Sequence, residues 1–125
     1  MTYLAVFDGE RAGWHVDRRA LLTSLGQDWP DVVPRVGESE LRDVSWILTG
    51  AGAVFEGYSH SDGTCLYLDG DLATTAKFAV WYRALVPDRI EVMFCDDEYT
   101  FAVPVNADTT SDDLVAAADY RPAGG

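Results

Sequence analysis

Lysine is almost missing from this chain: Lys77 stands alone against eight arginines, and only two histidines and two cysteines occur in 125 residues. Each scarcity removes a class of function. Nine basic residues against 21 acidic ones leave a net charge of −12, which repels nucleic-acid phosphates and anionic lipid, so neither a nucleic-acid nor a membrane partner is expected. No apolar run approaches the roughly 18–20 residues needed to span a bilayer. The opening MTYLAVFDGE lacks the basic start of a secretion signal, so a cytoplasmic protein is expected. Cys65 and Cys95 both lie in strand-like apolar runs, without CxxC or zinc-ligand spacing. They are expected as free buried thiols, and no metal or other cofactor is expected. The arginine bias, one Asn and two Ile suggest a GC-rich genome such as an actinobacterium's.

Catalytic motifs are equally scarce. GxSxG, HExxH, Walker A and the dinucleotide GxGxxG do not occur. The nearest constellation is Ser59-His60-Ser61-Asp62. A catalytic triad is assembled by the fold with distinct orientations, whereas consecutive turn residues point apart. A polar turn accounts for the motif. A small hydrolase-like enzyme, or a ligand-binding accessory domain using the His60 region, stays open as the alternative.

What is present is a core. Apolar residues make up 48% of the chain, enough for a single domain over 1–125. The longest segment without Gly or Pro is Asp71–Val86, DLATTAKFAVWYRALV. Asp71 is its N-cap, Pro87 stops it, and apolar side chains cover well over half its circumference, so the spacing predicts a helix buried on most sides. A second, shorter helix is expected over Asp17–Leu25, capped by Asp17 and ended by Gly26, and a third over Thr109–Ala118. Gly9–Gly13 and Gln27–Glu40 read as irregular, and Tyr120–Gly125 as a frayed tail.

Strands are expected at Tyr3–Phe7, Asp43–Thr49, Ala53–His60 and Thr64–Leu68. The turn Gly50-Ala51-Gly52 joins the second and third, and a three-residue loop, Ser61-Asp62-Gly63, joins the third and fourth. In that register His60 faces Thr64, Tyr58 faces Leu66 and Glu56 faces Leu68. RIEVMFC and YTFAVPV form a further hairpin, pairing Phe94 with Phe101, Val92 with Val103 and Ile90 with Val105 on one apolar face. Pro104 marks an edge or end position there. The expected fold is α+β: a mainly antiparallel sheet of hairpins, with the long helix 71–86 and two shorter helices mainly on one side.

Candidate binding residues are acidic and aromatic. Asp96, Asp97 and Glu98 form a hairpin tip whose mutual repulsion is relieved by water, a cation or a basic partner. Asp28 and Asp31 could extend the acidic surface, and Trp29 between them would be an aromatic anchor if exposed. Packing over the first helix is an equally simple role for Trp29.

The stretch CLYLDGDLATTAKFAVWYRALVP, followed by FCDDEYTFAVPV, resembles small acidic actinobacterial proteins, some of which are regarded as immunity-like partners of polymorphic toxins. The resemblance covers roughly residues 60–105 and its motifs are structural, so no functional residue is carried over. It implies tight binding that blocks a toxin's active site, with acidic residues facing a basic, nuclease-like domain. The expectation is a non-catalytic acidic module that binds a protein partner, in the manner of an immunity protein.

Overall fold

The central helix forms over Leu72–Leu85 in the computed structural model, which describes residues 2–37, 40, 42–50, 53–60, 64–98 and 100–119. The Asp71 carboxylate accepts a hydrogen bond from the Thr74 amide at 2.9 Å, closing the N-terminus. At the other end Val86 is already extended before Pro87. There the buried Arg83 guanidinium donates to the Val86 and Pro87 carbonyls at 3.5 and 3.2 Å, tying the chain that follows the helix back to its last turn.

In chain order the elements are β1 (Thr2–Val6), α1 (Gly9–Ala12), α2 (Arg18–Asp28), β2 (Val33–Val36), β3 (Arg42–Gly50), β4 (Ala53–His60), β5 (Cys65–Asp69), α3 (Leu72–Leu85), β6 (Val92–Asp96), β7 (Ala102–Val105) and α4 (Ser111–Asp119). The strands make one sheet in the order β2-β3-β4-β5-β1-β6-β7, and every neighbouring pair is antiparallel. The fold is α+β, as the sequence predicts.

Three of the helices pack on one face. Leu21 and Leu25 of α2, Phe78, Trp81 and Tyr82 of α3, and Leu114 of α4 share a core with Tyr3, Ala5, Trp46, Phe55, Leu66, Leu68, Val92 and Phe94 of the sheet. Each large side chain so buried contributes about 1.5–3 kcal/mol. Phe78 sits at the centre, with ring centroids 3.8 Å from Trp29, 4.8 Å from Phe55 and 5.8 Å from Trp46.

Four expectations are corrected. Gly9–Gly13 is a helical turn, since Asp8 caps α1 and Gly13 closes it in the left-handed conformation at φ 64°. Gly26 does not end α2, which continues to Asp28 because an exposed interior glycine weakens a helix without breaking it. The stretch 27–40 contains an edge strand, β2, whose four residues are all exposed, leaving no burial pattern to read.

The fourth correction is to both hairpin registers. On β4 and β5, Glu56 faces Asp69, Tyr58 faces Tyr67 and Ser59 faces Leu66, one residue away from the expected pairing. Leu66 and Leu68 must point into the core beside Phe55, and a slip of one residue would send one strand's apolar set to the wrong face. On β6 and β7, Phe94 faces Val103 and Val92 faces Val105, two residues away. Parity is kept, so the apolar face survives. Ala51, Gly52, Ser61-Asp62-Gly63, Tyr99 and Tyr120–Gly125 lie outside the described residues.

Both edges of the sheet carry proline. Gly37 N donates to Asp43 O at 3.0 Å, so by antiparallel alternation Arg35 and Val33 also face β3, and Pro34 faces the free edge. At the opposite edge β7 holds Pro104, where the sequence places an edge position. A strand cannot be extended by pairing with a residue that lacks its N–H, so both edges are blunted against strand addition.

Candidate binding surface on the open sheet face

Among the described residues, no helical residue joins the cluster on the second face of the sheet, where Leu4, Cys65 and Cys95 pack with Val6 and Tyr67. Both cysteines are free and buried, as expected; burial pushes the Cys95 thiol up, and the nearby Asp96 charge adds to the effect.

The register decides what this open face presents. One row across the strands runs Val33, Ile47, Glu56, Asp69, Thr2, and the Asp97 amide donating to Thr2 O at 3.1 Å extends it to the turn after β6. The next row runs Arg35, Ser45, Tyr58, Tyr67, Leu4 and Cys95. Within it the Tyr58 and Tyr67 rings stack with centroids 4.6 Å apart, and the Arg42 guanidinium lies 4.3 Å over the Tyr58 ring. Between the rows runs a trough of about 380 Å³, with Glu56 and Asp69 along one wall and Arg35, Arg42, Tyr58 and Tyr67 along the other.

The residues singled out from the sequence are not brought together. Asp97 and Glu98 are exposed at the β6–β7 turn. Asp96 is buried, its carboxylate accepting hydrogen bonds from the Thr100 amide at 2.7 Å and from the Thr100 hydroxyl. Burial alone would raise that carboxyl, but the bonds from Thr100 and the Phe101 amide outweigh it and hold it below the usual carboxylate range. Asp96 builds the turn that displays its two neighbours.

Trp29 is half-buried and stacked on Phe78, so it serves packing over α2 and α3. Asp28 is exposed and accepts from Ser24 at 3.3 Å; Asp31 is exposed ahead of β2. The two lie beside β2, five strand spacings or about 24 Å from β6, where Asp97 follows.

Glu56 and Asp69 lie on strands between β2 and β6, on the open face. Sequence reasoning missed them because the one-residue register slip set Glu56 opposite Leu68. The signal that finds them is the need for Leu66 and Leu68 to share a face with Phe55.

His60 lies opposite Arg42 on one side and, by continuation of the ladder, Cys65 on the other, with its ring 6.3 Å from Tyr67. Ser61 and Asp62 lie outside the described residues. Among the described residues no cluster of His, Cys, Asp and Glu is arranged to hold a metal ion, and no helix is long and apolar enough to cross a membrane. Comparison with protein-family models, with curated proteins and with solved structures found no match to this chain.

Proposed function

We propose that this chain is a non-catalytic, cytoplasmic binding module that docks a basic protein partner on its open sheet face; in the form the resemblance implies, it is an immunity protein and the partner a toxin domain. One observation carries the reading. The register aligns Glu56, Asp69 and Asp97 along one margin of the helix-free face, with Glu98 beside them. Apolar and aromatic side chains adjoin this margin: Ile47 is 39% and Val33 64% exposed, and Tyr58 and Tyr67 are half-buried. Exposed apolar and aromatic side chains beside charged ones are what a protein interface combines. A net charge of −12 speeds encounter with a basic surface and opposes self-association through this face.

The test is capture of the partner from the producing organism at low and high salt, followed by binding measurements on the purified pair. The expected result is a one-to-one complex with a basic protein, released by salt. Association should slow and lose its salt dependence when Asp97→Arg and Glu98→Arg are combined with Asp69→Lys. A partner that is not basic, or a salt slope unchanged by all three reversals, refutes the reading.

A further inference from the structure

The trough on the open face has a shape and a charge order that define its occupant. It is lined from β2, β3, β4, β5 and β1, so it crosses four strand spacings, about 19 Å at about 4.8 Å each. An extended segment of about six residues at about 3.3 Å each spans that length.

The walls are not uniform along this length. Arg35 and Arg42 stand on β2 and β3, Glu56 and Asp69 on β4 and β5, and the stacked Tyr58 and Tyr67 face those carboxylates from the other wall on the same two strands. Resting on the reading that this face binds a basic protein, we propose that the trough takes an extended segment of that partner with its charges in blocks. An acidic side chain, or a terminal carboxylate, lies against Arg35 and Arg42, and lysine or arginine lies against Glu56 and Asp69. Charge order fixes the register of the segment, while the charge of the rest of the partner drives the encounter. The prolines facing both sheet edges favour this placement on the face over strand addition at an edge.

Three capped hexapeptides test the inference, followed by amide chemical shifts of the intact chain. The first has two aspartates at one end and two lysines at the other, the second alternates the same residues, and the third is hexalysine. The block peptide is expected to shift amides of β2 to β5 more strongly than the alternating one. A nitroxide at its lysine end should broaden β4 and β5 but not β2. Glu56→Gln with Asp69→Asn should weaken it about fivefold, while Asp108→Asn with Asp112→Asn, exposed residues that do not line the trough, leaves it unchanged. Equal binding of block and alternating peptides overturns the charge order. Hexalysine bound only around Asp97 and Glu98 overturns the trough as the site and leaves the basic-partner reading standing. No peptide binding to the trough also overturns the inference, and the captured partner then judges the broader reading by itself.

Discussion

Glu56→Lys should make this protein more stable while weakening its binding. Glu56 and Asp69 are exposed and directly opposite on β4 and β5, a like-charge cross-strand pair of the kind that destabilises a sheet. With the charged groups about 6 Å apart in a solvent-like dielectric, the repulsion is about 0.7 kcal/mol before screening. Reversing one charge turns it into an attraction of similar size, a swing of about 1.4 kcal/mol. Screening at 0.15 M salt, with a Debye length of about 8 Å, leaves about 0.7 kcal/mol; at 1 M, with about 3 Å, about 0.2 kcal/mol remains. Glu56→Gln, which removes the repulsion without adding attraction, should deliver half of each figure.

Urea unfolding and thermal melts at low, intermediate and high salt measure this. The lysine variant should melt about 3 °C above the parent at 0.15 M, the glutamine variant about halfway between, and all three should converge at 1 M. Glutamate and lysine are both weak strand formers, so intrinsic propensity contributes little to the difference. In the register one residue away, Glu56 would face Leu68 and have no charged partner. Lysine and glutamine variants that melt alike, or a gain that persists undiminished at 1 M salt, would therefore refute the register on which the binding surface rests.

Two further outcomes probe the scaffold. A Cβ at Gly57 would fall 2.7 Å from Cε2 and Cζ2 of the buried Trp46 indole, which Phe78 and Trp81 hold in place. Gly57→Ala should cost about 1–3 kcal/mol of unfolding free energy in urea titration, whereas Gly26→Ala, with nothing within 4 Å, should gain about 0.5–1 kcal/mol; equal effects would refute the packing. Asp96→Asn should lower stability at pH 7 by about 1–3 kcal/mol. The Asp96 carboxyl is held below its unfolded value, so its contribution is full above pH about 4 and lost as pH falls through the folded value. The two proteins should converge in acid, and a gap that stays constant down to pH 2.5 would show that the carboxylate does not hold the turn.

The parts of this fold that are legible in the sequence are those fixed by local chemistry. Asp17 and Asp71 cap their helices as read. Thr110 and Asp113 form a reciprocal capping box at the start of α4. Periodicity sets Ala73, Lys77, Val80 and Ala84 apart from the apolar girdle of α3; Ala73, Lys77 and Ala84 are exposed and Val80 is half-buried. What period and caps do not encode is how far one strand slides along another. On β6 and β7 the slide is set by Asp96 reaching to Thr100, a contact that lengthens the turn and is invisible to alternation. On β4 and β5 it is set by which leucines must be inside. β2 is unreadable for the opposite reason, being short, exposed throughout and carrying Pro34.

The proposed binding surface was hidden from the sequence for the same reason that argues for it. Glu56 and Asp69 side by side oppose folding slightly, and an exposed Ile47 and Val33 oppose solubility slightly; all four fall in one row of one face. On the other face α2, α3 and α4 bury the apolar side chains of the sheet. Two different local disadvantages, one electrostatic and one hydrophobic, would have no common cause if each were incidental. The proposed basic partner would relieve both at once, its cations meeting the carboxylates while its surface covers the apolar end of the row. The stability gain expected for Glu56→Lys and the loss of binding expected from Asp69→Lys with the tip reversals are thus two readings of one arrangement: carboxylates set together against their own repulsion, on the face that the helices leave open.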